Sequence, residues 1–242
     1  MEAADRAPHG VVRVRADNPS AMTLDGTNTY LVEGWVVDPG PEDERHLEAV
    51  LAAAGGRLAG IVITHAHPDH DGGAAALAAA AGGVPVVRPR DGENAGPLRA
   101  LATPGHSPDH VALLYGRICF AGDAVAGIGS SFVPADGGGM AAYLDSLRRL
   151  RALDLEVLCP GHGPFVTDPA AKLDEYIAHR LERESKIVAA LERGIRDRDD
   201  LLEAAWDDTP LHVSPMLRWA AGTTLDAHLE KLAAEGRLPK AT

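Results

Sequence analysis

Apolar residues recur along this chain with two different periods, and the switches between them outline the fold. "VVRVR" (11–15) alternates and predicts a strand. "TNTYLVEGWVVDPG" (27–40) holds two short apolar runs broken at Glu33-Gly34, the mark of a hairpin. "EDERHLEAVLAAA" (42–54) carries acids in its first turn and glycines after its end, so it reads as a helix. "LAGIVIT" predicts a buried strand, "DGGAAALAAAAGG" a short alanine-rich helix and "VPVV" another strand. Three further β runs follow, "LRALAT", "HVALLYG" and "RICFAGD". The helical period then returns at 140–153, with Met140, Tyr143, Leu144, Leu147 and Leu150 on one face. "LEVLCPGHG" is a strand running into a turn.

From about residue 169 the pattern is helical only. "PAAKLDEYIAHRLERESKIVAALERG" has Pro near its first turn and Gly194 near its stop, and predicts a long amphipathic helix. Three helical segments follow. The last, with Leu225, Leu229 and Leu232 on one face, breaks at Gly236 before a short extended end, in the manner of the last helix and wing of a winged-helix unit. The expected organisation is an α/β domain over 1–168 and a helical, winged-helix-like domain over 169–242.

Length and composition narrow the class. A chain of 242 residues, 45% hydrophobic and 24% charged, can bury a core without disulfides. Cys119 and Cys159 sit in apolar stretches without metal-knuckle spacing and read as buried thiols. The first twenty residues show no signal peptide, and no apolar run is long enough to span a membrane, so a cytoplasmic protein is expected. A net charge of −12 argues against a broad nucleic-acid surface; with aromatics at 4% and a last helix, "LDAHLEKLAAEG", that is not basic, sequence-specific DNA reading is not expected either.

The candidate chemistry is concentrated in "IVITHAHPDHDGG" (61–73), where His65, His67, Asp69 and His70 crowd the end of a strand. Imidazole nitrogens and carboxylate oxygens are the donors that Zn²⁺ and its neighbours take. His65 and His67 can point the same way in extended chain. Asp69 and His70 lie past the bend at Pro68 and can address a second point nearby. Further donors stand at later strand ends: His106 in "TPGHSPDH", Asp123 in "FAGDAV" and His162 in "CPGHGP". Single histidines after strands are commonly structural; seven ordered donors are not explained that way.

This ordered set resembles the metallo-β-lactamase superfamily, an αββα sandwich with a dinuclear metal site. The resemblance implies one metal on His65, His67 and His106, a second on Asp69, His70 and His162, and Asp123 bridging both. It also implies two Zn ions, with Mn or Fe possible for the same donors. The expected activity is hydrolysis by a metal-bridging hydroxide, with Asp69 as the catalytic carboxylate that accepts a proton. True β-lactamases usually lack the bridging Asp and often use a Cys ligand, so antibiotic hydrolysis is not expected. A non-catalytic binding module would call for a damaged ligand set, and this one is intact.

"MTLDGTNTYLV", "DPG", "THAHPDHDGG", "TPGHSPDHVALL", "FAGDAVAGIGSS", "YLDSLRRL", "PGHGP" and "EYIAHRLERE" together resemble the β-lactamase-like protein 2 group. That group includes endoribonucleases acting on single-stranded RNA, and the same motifs are similar to those of thioesterases releasing acyl chains from carrier proteins. RNA cleavage therefore stands narrowly ahead of ester or thioester hydrolysis. Arg88, Arg90, Arg180 and Arg183 are the candidate contacts for a polyanion, whereas "AVAGIGSSFVPADGGGM" and the tail could line an apolar groove. The stretch "RPRDGENAGP" (88–97) is shorter and less strand-like than the group leads one to expect. His110 is a candidate to orient a ligand, and Asn28 and Tyr30 are assigned to the first hairpin.

Overall fold

Side-chain alternation on the first strands sorts residues between two layers. The computed structural model describes Pro8 and residues 10–238; the first residues and the expected extended end beyond Leu238 lie outside them. Two five-stranded sheets form from β1 (Val11–Arg15), β2 (Asn28–Val32), β3 (Trp35–Val37), β4 (Gly60–Val62) and β5 (Val86–Val87), and from β6 (Asn94–Ala95), β7 (Leu98–Ala102), β8 (Val111–Tyr115), β9 (Ile118–Gly122) and β10 (Val157–Pro160). Each sheet lies in chain order, β1 to β5 and β6 to β10. In the first, β1–β2–β3 are antiparallel and β3–β4–β5 parallel; in the second, only β9 and β10 run parallel.

Tyr30, Val32, Val37 and Val62 join Leu98, Ala100, Val111, Leu113, Phe120 and Cys159 in one core between the sheets. Their neighbours Leu31, Val36, Ile61 and Ile63 face the other way, against α1 (Glu44–Ala53) and α3 (Ala74–Ala80). A single-residue slip in β2 would turn both sets to the wrong layer, which pins the register. Asp43 caps α1 by accepting from the His46 N–H, the role expected of an Asp before an apolar-periodic run.

The chain divides into two compact units, one of residues 1–103, 109–131 and 153–170, and one of 104–108, 132–152 and 171–242. The second unit therefore takes more than the tail at 169–242. Within it α4 (Gly139–Arg151) packs on α7 (Pro215–Ala234), with α5 (Pro169–Glu192) and α6 (Arg198–Ala205) between them in sequence. Ile187, Leu191, Leu201, Leu202, Leu225 and Leu232 form its core. The long elements among its described residues are helices, and α7 starts at Pro215 with Ser214 as cap, well before the stretch that suggested a final helix. The 88–97 segment contains β6, paired with β7. No helix of the described residues is long and apolar enough to cross a membrane.

Leu113 is fully buried between the sheets. Leu113→Ala should lower unfolding free energy by about 2–5 kcal/mol, read from denaturant midpoints at unchanged slope; a loss below about 1 kcal/mol would contradict a packed inter-sheet core.

Candidate metal centre

The ligand-bearing segments leave the C-terminal ends of strands and are fastened by main-chain bonds. After β4 the chain passes Thr64, His65 and His67, and Pro68 then starts the one-turn helix α2 (Pro68–Asp71), which turns Asp69 and His70 away from the extended stretch. The turn after β3 grips this loop: Gly40 N–H donates to His70 O at 3.1 Å, and Gly73 N–H donates to Gly40 O at 2.9 Å. The Asp123 and His162 loops are joined by Gly161 N–H donating to Gly122 O at 2.8 Å, while Asn28 N–H donates to Gly161 O at 2.7 Å.

Two groups of donors result within the first unit. Nε2 of His65 and Nδ1 of His67 stand 2.9 Å apart, and a ring nitrogen of each residue lies within 4.8 Å of an Asp123 carboxylate oxygen. Asp69, His70 and His162 form the second group, again within 4.8 Å of one another. Nε2 of His70 is 3.3 Å from Asp123 Oδ1 and 3.6 Å from Asp69 Oδ2; Nε2 of His162 is 3.4 and 3.3 Å from the same atoms. Ligand atoms about 2.1 Å from a tetrahedral zinc are themselves separated by about 3.4 Å, so the spacing fits one ion. Gly161 keeps the space open, because a Cβ there would come within 2.5 Å of both Asp123 Oδ1 and His70 Cε1.

His106 belongs to the second unit, on the loop between β7 and β8. Its Nδ1–H donates to Phe132 O at 2.9 Å, which leaves Nε2 as the nitrogen with a lone pair.

The electrostatics are those of a cation site. Burial alone would lower His70 and His162, yet the carboxylates of Asp123 and its neighbours outweigh it: His70 is raised well above the usual range and His162 is pushed up to about 9. Burial opposes ionisation of Asp123 too, but His70 and His162 hold it well below the ordinary carboxylate range. A field that so favours positive charge on the rings would equally favour a divalent ion. Asp69 is also lowered, burial being outweighed by the hydrogen bond from His162 and by His70. Burial lifts the Cys119 thiol to about 12, consistent with its reading as an inert core residue.

Behind the donors lies a residue to which the motif reading gave no role. Asp38, 2% exposed, accepts from Thr64 N–H at 2.7 Å, from Thr64 Oγ1 at 2.6 Å and from His70 Nδ1–H at 2.9 Å. Since Thr64 Oγ1 spends its proton on Asp38, it accepts from His65 Nδ1–H at 2.9 Å. One carboxylate thereby sets the ring orientation of both His65 and His70. The only hint in sequence is the Asp of "DPG" at a strand end. His110 settles as a positioning residue: its Nε2 accepts from Asp123 N–H at 3.0 Å while Nδ1–H donates to Thr103 Oγ1 at 2.8 Å. Asn28 and Tyr30 do more than build a hairpin. Asn28 Nδ2 donates to Pro160 O and Gly163 O, and Tyr30 OH to Pro160 O at 2.7 Å, clamping the His162 loop.

Two mixed sheets flanked by helices, with His/Asp donors gathered at their strand ends, define a metal-dependent hydrolase fold. The chain matches the metallo-beta-lactamase superfamily over residues 22–101 and 91–162, and it belongs to that family. It is 29% identical to the beta-lactamase-like protein 2 homolog of Drosophila melanogaster over 98% of this chain and 92% of that protein. It is 34% identical to an atrochrysone carboxyl ACP thioesterase of Aspergillus chevalieri, over 75% of this chain and 65% of that one. A metallo-beta-lactamase family protein of Thermus thermophilus has a similar structure, with TM-score 0.75, 25% identity and 96% of each chain covered.

Asp38→Asn should lower Zn²⁺ affinity about 10–100-fold while far-UV dichroism is unchanged, measured by competition with a chromophoric chelator. Wild-type affinity in that variant would remove Asp38 from the support of the centre. Gly161→Ala should weaken metal binding at least as much, because its Cβ displaces Asp123 or His70.

Proposed function

We propose that this protein hydrolyses acyl thioesters at a dinuclear metal centre. In this reading one ion is held by His65, His67 and His106, the other by Asp69, His70 and His162, with Asp123 shared. The donors suit zinc, and also manganese or iron. When bound, the ions would polarise the acyl carbonyl and supply a nucleophilic water at neutral pH. The oxygen of water forms a bond to the acyl carbon, the C–S bond breaks, and the thiolate leaves to take up a proton.

The protein's own groups divide the remaining work. Asp69 is 29% exposed at its side chain, against 2% for Asp38 and 14% for Asp123. It is the carboxylate best placed to exchange a proton with solvent, and we assign it to accept the proton of the attacking water. Thr27 Oγ1 donates to Asp69 Oδ2 at 3.4 Å and Asn18 Nδ2 donates to Thr27 Oγ1 at 3.0 Å, a chain that steadies that carboxylate.

The observation that carries the choice of substrate is the fate of the arginines proposed to hold RNA. Arg180 and Arg183 are 3% and 5% exposed, laid over the rings of Tyr143 and Trp206. Arg183 is ion-paired with Asp208, and Arg88 makes two bonds to Asp71. A polyanion needs exposed cations, and three of the four candidates are engaged in structure. On this ground we place thioester hydrolysis ahead of the RNA cleavage that the sequence narrowly favoured, and the thioesterase among the relatives supports that order.

An acyl-N-acetylcysteamine thioester should be turned over by the zinc-loaded protein and not after chelation. Asp123→Ala should reduce kcat/KM about 10²–10³-fold, on the scale of losing one preorganised electrostatic group. Cleavage of single-stranded oligouridylate that chelator and Asp123→Ala both abolish, with no thioester turnover, would overturn the assignment.

A further inference from the structure

The chain is sparing with aromatic residues, holding three Phe, three Trp and four Tyr. In the second unit one of these tryptophans is left half in solvent. Trp219, in the second turn of α7, is 54% exposed, and Met216 on the same stretch is 48% exposed. The indole is not adrift: it stacks on Phe132 with centroids 5.1 Å apart and planes inclined by 27°. Phe132 in turn is tied to His106, for its carbonyl accepts from His106 Nδ1 and its ring meets the His106 ring edge-on at 6.3 Å. The His106 imidazole, a phenyl ring and an exposed indole thus form a continuous series within one unit.

We infer that the outer face of Trp219, backed by Phe132, is the platform on which the acyl group of the substrate lies, and that it selects flat, uncharged acyl groups. This rests on the proposed thioester hydrolysis and on His106 as a ligand. An exposed indole face offers a large apolar area and a π-surface that favours offset stacking with another ring. The charge alongside decides between occupants that stack. Asp136, Asp226 and Glu230 line a cleft with Pro134 and Thr223, and Thr223 is one helical turn from Trp219. Arg198 pairs with Asp226, and Arg218, adjacent to Trp219, pairs with Glu203 and Asp199. Nucleobases would stack equally well, but they bring phosphates toward these carboxylates; a neutral aromatic acyl group does not.

The test compares N-acetylcysteamine thioesters of 2-naphthoic and decanoic acids with wild-type, Trp219→Ala and Trp219→Phe proteins, alongside calorimetric titration of 2-naphthoate and of oligouridylate. Trp219→Ala should cut kcat/KM for the naphthoyl thioester about tenfold and change the decanoyl reaction less than threefold. Trp219→Phe should retain most of the naphthoyl activity. Naphthoate should bind wild-type protein and lose affinity in Trp219→Ala at unchanged Tm. Equal turnover of both thioesters in all three proteins overturns the platform and leaves the proposed reaction standing. Naphthoate binding that depends on Trp219, without turnover of either thioester, supports the platform and counts against the reaction. Trp219-dependent binding of oligouridylate but not naphthoate overturns the acyl assignment in favour of a nucleobase.

Discussion

One buried carboxylate organises the centre. Asp38 sits at the end of β3 with φ of +49°, a left-handed conformation that costs a non-glycine residue of order 1 kcal/mol. Its oxygens accept from Thr64 N–H, Thr64 Oγ1 and His70 Nδ1, each at 2.6–2.9 Å and each sealed from water. Buried bonds to an ionised acceptor are among the stronger ones in proteins, and three of them offset the backbone strain. Through Thr64 the same carboxylate fixes His65, so members of both donor groups take their orientation from one residue on the neighbouring strand. A neutral amide at this position could accept at one atom only.

The rest of the first unit serves to bring separate strand ends to that point. β3 and β4 are parallel neighbours, so the chain leaves both at the same edge, and Asp38 meets Thr64 there. β9 and β10 are parallel as well, which delivers Asp123 and His162 together. A register shift at Cys159/Pro160 precedes the last pair of that ladder, Pro160 with Gly122, and Asn28 and Tyr30 fasten the emerging loop to the first sheet. Parallel pairing thus has a functional consequence: it places two successive donor loops on one rim without a long excursion of chain.

Much of this was legible because it is periodic or local. Most strands and helices of the first unit followed from apolar spacing, the exceptions being the short β6 and α2, and the donors of "THAHPDHDGG" announced themselves by crowding. Asp38 and Thr64 did not, since each is an ordinary turn residue whose role comes from a partner 26 positions away. The clamp by Asn28 and Tyr30 spans at least 130 positions and leaves no local signature. Arg180 and Arg183 misled for a different reason. On an amphipathic helix arginines read as a solvated face, whereas here their planar heads lie buried over Tyr143 and Trp206. The extent of the second unit was hidden too, because α4 contributes to it from the middle of the sequence.

The central claim is that the donors form a centre for two ions with Asp123 shared between them. The most direct measurement is calorimetric titration of chelator-treated protein with Zn²⁺, in wild type and in Asp69→Ala/His162→Ala. Wild type should bind two ions per chain and the double variant one, with the first group of donors intact. A stoichiometry of one in both proteins, or of two in both, would contradict the account.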